Sequence, residues 1–231
     1  IVLAKNEPAK RMGVKTGDAV WQARQKCPGL QLVAPNFSRY RRFSRMANEL
    51  YARYTDRVEP FGIDESWLDL SGCVCSFEQG VARAHEIRAR IFAELGVTVS
   101  IGVCFNKVFA KLCSDLEKPN AVTAVDRASF QDVLHPLPCE ALLFVGRATR
   151  RQLRRINIHT IGDIAAAAPE VLSSLLGKWG RTLHRFANGM DESPVARYGE
   201  SAPPKGVGNS TTLPYDIATV QKIKPVLYML C

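Results

Sequence analysis

The sequence predicts an α+β fold, in which a small mixed sheet backed by helices on one face is followed by an all-helical region. Three observations carry that reading. Helical spacing of apolar residues runs from Ser38 to Thr55 and again over residues 77 to 95; apolar, β-branched stretches alternate with a helix between Val97 and Val125; and from Pro138 onward the patterned segments are short, helical and punctuated by glycine.

Residues 1 to 36 hold two apolar patches broken by Gly13, Gly17 and Pro28-Gly29, the look of short helices in a loop-rich unit. Between Ser38 and Thr55, Tyr40, Phe43, Ala47, Leu50, Tyr51 and Tyr54 recur at three-and-four spacing, while Arg39, Arg41, Arg42, Arg45 and Arg53 lie mostly off that face. VEPFGIDESWLDLSG follows as two short strands around the acidic pair Asp64-Glu65. A helix over 77 to 95 ends at Gly96, Val97 to Cys104 reads as a strand, Asn106 to Glu117 as a helix and Ala121 to Val125 as a last strand. Two strands, helix, strand, helix, strand is a ferredoxin-like split βαβ order.

Downstream, helices are predicted over Pro138 to Phe144, Thr149 to Ile156, Ile161 to Ala167, Pro169 to Leu176 and Arg181 to Asn188, forming a separate module. Proline and glycine between 191 and 206 suggest a linker. The last 25 residues or so hold one strand-like and one helix-like piece, too little for a core of their own.

Composition narrows the function. Lys and Arg number 31 against 22 Asp and Glu, a formal charge of +9, and between Val145 and Arg185 eight basic residues face two acids. Such a concentrated patch favours a polyanionic partner. No run of 18 uncharged apolar residues occurs, so no membrane span is expected, and IVLAKNEPAK lacks the layout of a signal peptide. Seven cysteines without a CxxC pair argue against zinc and for reduced thiols in a cytoplasmic protein.

Three constellations bear chemistry. Asp64 and Glu65 offer hard oxygen ligands for a divalent cation, although such a doublet alone is commonplace and reads as a solvated turn. Neighbours on a straight strand point opposite ways, so joint ligation needs a bend there. Asn106-Lys107, Lys111 and Lys118, together with Lys10 and Arg11, could hold phosphate oxygens as point charges or line an ordinary solvated helix. Gly146-Arg147 and Gly177-Lys178-Trp179-Gly180-Arg181 are glycine turns opening onto basic helices. They suit phosphate contact through backbone N–H groups, or else a plain helical hairpin.

VEPFGIDESWLDLSG resembles the palm motif of Y-family DNA polymerases. In order along the chain, SIGVCFNKVFAKLCSDLEKPNAV is similar to the family's second palm motif, LLFVGRATRRQLRRINIHTIGDI to its helix-hairpin-helix thumb, and KGVGNSTTLP to the start of its little finger. AKNEPAKRMGVKTGDAVWQARQKCP resembles the fingers of the DinB-like branch, related to DNA polymerase IV. The resemblance implies fingers at 1–36, palm at 37–125, thumb at 126–196, linker at 197–206 and a little-finger remnant at 207–231.

It also implies template-directed DNA synthesis past damaged bases, with Asp64 and Glu65 as catalytic metal ligands for two Mg²⁺ ions. Lys10 and Lys118 then bind the incoming deoxynucleoside triphosphate. Gly146, Arg147, Arg150, Arg151, Gly177, Lys178, Gly180 and Arg181 grip the primer-template backbone. Implied partners are DNA and nucleotide for a monomer, with a sliding clamp contacted through a further C-terminal tail. Relatives begin with a strand bearing a first catalytic Asp and, soon after, an aromatic steric gate, and neither is found here. The chain is therefore expected to be a fragment, inactive as it stands. Glu7 stands where many relatives have Tyr, Ala4 where many have a hydroxyl, and Ala148 and Asn157 replace glycines usual in the thumb. The rival readings are a non-catalytic damaged-DNA-binding module and a cyclase-like enzyme, the latter having no need of basic hairpins.

Overall fold

Helices dominate the computed structural model, which describes residues 1–200, 203–213 and 215–231. The chain opens with α1 (Glu7–Arg11) and α2 (Val20–Lys26), whose Ala9 and Ala23 close with Val14 into a small apolar cluster of their own. Next come α3 (Phe37–Tyr51), the hairpin β1 (Val58–Pro60) and β2 (Ser66–Leu68), α4 (Phe77–Leu95), β3 (Ile101–Val103), α5 (Lys107–Leu116) and β4 (Val122–Ala124). This is the predicted order. Asparagine or serine caps each of the three longer helices: Asn36 accepts from Arg39 N, Ser76 from Gln79 N and Asn106 from Phe109 N, while left-handed Gly96 ends α4.

The sheet departs from expectation. β1 and β2 pair antiparallel and β3 and β4 pair parallel, but among the described residues no ladder joins the two pairs, so there are two small sheets rather than one. A cavity lies between them, lined by Ser66 to Leu70 on one side and Val99 to Val103 on the other. Only three residues of the strand expected over Val97 to Cys104 carry ladder bonds, because β4 offers only the partners Val122 to Ala124. The parallel pair is held by α5: a Cβ on Gly102 would collide with the Ala110 carbonyl, so the strand approaches the helix as closely as glycine permits.

The helical region comprises α6 (Phe130–Leu134), a 3-10 turn at Cys139–Ala141, α7 (Arg147–Arg155), α8 (Ile161–Ala166), α9 (Pro169–Leu176) and α10 (Lys178–Ala187). α6 was not foreseen. The helix expected over Pro138 to Phe144 shrinks to the 3-10 turn because Leu142 turns extended, which buries Leu142 and Val145 in the core. α10 starts three residues earlier than predicted, with Gly177 as its cap and Gly180 inside it. Nor is the module separate: Val108, Phe109, Leu112 and Cys113 of α5 share one buried apolar cluster with Leu134, Leu153, Ile161, Leu172 and Leu183.

The chain then returns to the hairpin. Glu59 accepts from Lys107 Nζ at 2.7 Å and from Ala196 N at 2.9 Å, and Tyr198 N donates to Asp56 O, so the segment after α10 lies along the β1 edge instead of hanging free. Ser201 and Ala202 of the expected linker and Pro214 of the last region lie outside the described residues. α11 (Val220–Leu230) forms the helix-like piece, and no strand precedes it among the described residues after 200. No helix of the described residues is long and apolar enough to cross a membrane.

Candidate active site

The hairpin turn bends the chain just before the acidic pair. Phe61 N donates to Glu65 O at 2.8 Å, closing a five-residue loop between Pro60 and Ser66 in which Gly62 takes φ +89°. Asp64 and Glu65 therefore sit at the exit of a bend and need not alternate as on a straight strand. Buried Asn48 on α3 accepts from Ser66 Oγ at 2.7 Å and Trp67 Nε1 donates to Lys107 O at 3.0 Å, fixing the strand just after the acids. Lys107 also lies over the Trp67 ring, 4.5 Å from its centroid.

Asp64, Glu65, Lys10 and Lys118 all line the same cavity, whose volume is about 1070 Å³. The four residues come from three separate parts of the sequence. Glu65 Oε1 lies 3.1 Å from Lys111 Nζ, which reaches Asp115 Oδ2 at 2.5 Å, and Asp115 Oδ1 in turn meets Lys118 Nζ at 2.6 Å. Burial pulls the Lys111 ammonium down, but the Asp115 and Glu65 carboxylates outweigh it and hold the pKa above the ordinary lysine value. Asp115 answers in kind: burial pushes its carboxyl up, and Lys111 and Lys118 bring it below the usual range. Lys10 pairs with Glu7 at 3.3 Å, both exposed, so the glutamate partly neutralises this lysine of the cavity lining.

Lys111 is the residue that sequence reasoning underrated. Its signal was present, since Lys107, Lys111 and Asp115 recur four apart and share a helix face, but nothing local revealed Glu65 as its partner. Asn106 supports the fold, capping α5 and donating to Gly189 O at 3.1 Å.

In the helical region the two glycine turns come together. Gly146 and Gly177 cap α7 and α10, and Phe144 before the first turn packs edge-on against Trp179 after the second, ring centroids 5.5 Å apart. Both rings remain partly exposed, Phe144 at 51% and Trp179 at 36%. Arg147, Arg151, Lys178 and Arg181 are exposed around them, Arg181 Nε donating to Ser173 Oγ at 3.2 Å. Arg150 is held back by Glu140 at 3.0 Å. Gly180 is a correction: it is buried, and a Cβ there would collide with the Leu172 carbonyl, so its job is to let α10 approach α9 rather than to touch a phosphate. The aromatic contact spans 35 positions of sequence, which is why periodicity could not find it.

The chain is similar to known proteins in sequence and in fold. Residues 1–115 match the impB/mucB/samB family. DNA polymerase IV of Acetivibrio thermocellus is 51% identical over 230 residues, covering 100% of this chain and 58% of that relative. Among solved structures, a Y-family DNA polymerase chimera containing Dbh superposes with a TM-score of 0.87 at 30% identity, covering 97% of this chain and 65% of that one. An insertion ternary complex of Dbh DNA polymerase matches with a TM-score of 0.79 at 30% identity over 97% of this chain and 65% of that one. The chain thus spans less than two thirds of these relatives.

Proposed function

Since the chain belongs to the impB/mucB/samB family of Y-family DNA polymerases, we propose that it supplies the nucleotide-handling palm and the DNA-gripping helices of a polymerase that copies damaged templates. One observation carries the reading: two carboxylates and two lysines from distant segments converge on one cavity between the two small sheets.

The donor set suits Mg²⁺, being made of hard carboxylate oxygens on a bent turn. Asp64 and Glu65 would hold it. When bound there, Mg²⁺ would supply Lewis acidity for an attacking hydroxyl and charge to offset that of a transferring phosphate. The chain's own residues do the rest. Lys111 keeps Glu65 oriented toward the cavity, Lys118 and Lys10 attract triphosphate oxygens as point charges, and Trp67 with Lys107 stiffens the strand behind the acids. The turns at Gly146 and Gly177 direct backbone N–H groups and the exposed Arg147, Arg151 and Lys178 at a DNA backbone.

Among the described residues, no group of three or more His, Cys, Asp or Glu side chains could hold a metal ion. On this reading Asp64 and Glu65 need one more carboxylate to complete the metal set, and the 231 residues without it are proposed not to polymerise. The exposed Arg147, Arg151 and Lys178 around the glycine turns favour a second reading, a DNA-binding module whose palm acids are vestigial. One experiment separates the two. The chain is joined to the opening strand of the Acetivibrio thermocellus relative, and Mg²⁺-dependent primer extension is measured beside salt-dependent DNA binding. Extension that vanishes in Asp64→Ala supports the polymerase; DNA binding without extension supports the module.

A further inference from the structure

α3 bears a concentration of charge that neither the cavity nor the glycine turns use. Arg39, Arg41, Arg42 and Arg45 crowd its first nine residues, and all four are exposed. No carboxylate among the described residues lies within ion-pair distance of any of them, whereas the neighbouring Arg53 and Arg57 pair with Glu94 and Asp69. The helix carries a single acid, Glu49, exposed one turn beyond Arg45. At about 100° per residue, Arg41, Arg45 and Arg42 fall within one stripe roughly 100° wide, opposite the face that buries Leu50.

Helix stability alone would not choose this arrangement. Like charges three and four residues apart repel, and cations belong at a helix C-terminus; here the first turn holds no acid and the last turn no base. The charges stand at the positive end of the dipole, where an anion gains from both. Aromatic rings flank them. Phe37 is 55% and Tyr40 43% exposed, stacked edge-on with centroids 5.7 Å apart, and the Arg39 guanidinium sits 5.9 Å from the Phe43 ring centroid. Phe37 adjoins the Arg41 edge of the stripe, so a strand whose phosphates meet the guanidinium groups can lay an unstacked base on an exposed ring. A duplex presents no such bases.

We propose that the N-terminal half of α3 is a second nucleic-acid surface, one that takes single-stranded DNA. It is distinct from the cavity: Tyr51 at the far end of α3 lines the cavity, and Phe37 lies about 21 Å away along the helix at 1.5 Å per residue.

The test uses the 231-residue chain, with fluorescence anisotropy on a short oligo-dT strand and on a blunt duplex across a range of KCl. Combined Arg41→Ala, Arg42→Ala and Arg45→Ala is expected to weaken oligo-dT binding by about tenfold or more. The log–log salt slope should fall in magnitude by about 2, from three phosphate contacts at roughly 0.7 each, while the duplex changes by less than about twofold. Combined Phe37→Ala and Tyr40→Ala should weaken oligo-dT binding with the slope unchanged, and circular dichroism confirms that α3 stays helical. Three results would overturn the proposal. These are oligo-dT affinity and slope that stay put in the arginine variant, equal loss of affinity for strand and duplex, and an aromatic variant that binds like the parent chain. A parallel variant, Arg147→Ala with Arg151→Ala and Lys178→Ala, reports on the glycine turns, so failure at α3 leaves the proposed polymerase role untouched.

Discussion

Lys111 Nζ stands between Glu65 Oε1 at 3.1 Å and Asp115 Oδ2 at 2.5 Å, so one half-buried ammonium ties the hairpin acid to α5. Replacing it by methionine leaves two carboxylates near each other without their shared counterion. Lys111→Met is expected to cost about 1–2 kcal/mol, kept low because Asp115 is partly solvated and retains Lys118. Lys111→Arg should recover most of the loss. Urea unfolding of the three proteins at neutral pH checks the order.

Gly180 and Gly146 look alike in sequence and differ in structure. A Cβ on Gly180 collides with the Leu172 carbonyl, while at Gly146 nothing lies within 4 Å. Gly180→Ala is therefore expected to destabilise by about 1–3 kcal/mol through forced separation of α9 and α10. Gly146→Ala meets no steric obstacle and should cost at most about 1 kcal/mol, the difference between glycine and alanine at an N-cap. Thermal melts distinguish them directly, and equal effects would refute the close approach.

Asp163 gives a pH dependence with a definite sign. Its carboxylate accepts from His159 N and Thr160 N, each at 2.8 Å, and these backbone donors hold its pKa below the ordinary aspartate value. The folded state thus binds this proton more weakly than the unfolded chain. The stabilisation is full above about pH 4 and is lost as pH falls through the lowered folded value. Asp163→Ala should cost about 1 kcal/mol at neutral pH, the usual worth of a cap, and flatten the acid limb of the stability profile. Denaturant midpoints between neutral pH and acid read both effects.

Much of this was legible in advance, for identifiable reasons. The period of Tyr40, Phe43, Ala47, Leu50 and Tyr51 sufficed for α3, because one face of that helix alone is buried. Asp64, Glu65, Lys10 and Lys118 were named from motif order, and the fold brings them to one cavity. Long-range relations were beyond reach. The Glu65–Lys111 pair, the Phe144–Trp179 contact and the docking of residues 194 to 198 against β1 join segments dozens of residues apart, and no local pattern encodes them. Gly180 misled for a related reason: a glycine that frees a backbone turn and one that admits a neighbouring helix share the same letter.

Asp64 and Glu65 are proposed to hold a divalent cation together, beside a nucleotide bound by Lys10 and Lys118. Mn²⁺ binding followed by electron paramagnetic resonance, with a deoxynucleoside triphosphate present and the opening strand of a relative attached, tests it most directly. Asp64→Asn and Glu65→Gln are each expected to weaken the bound-metal signal at least about tenfold, as loss of a charged oxygen ligand should. Undiminished Mn²⁺ affinity in both variants would contradict the account.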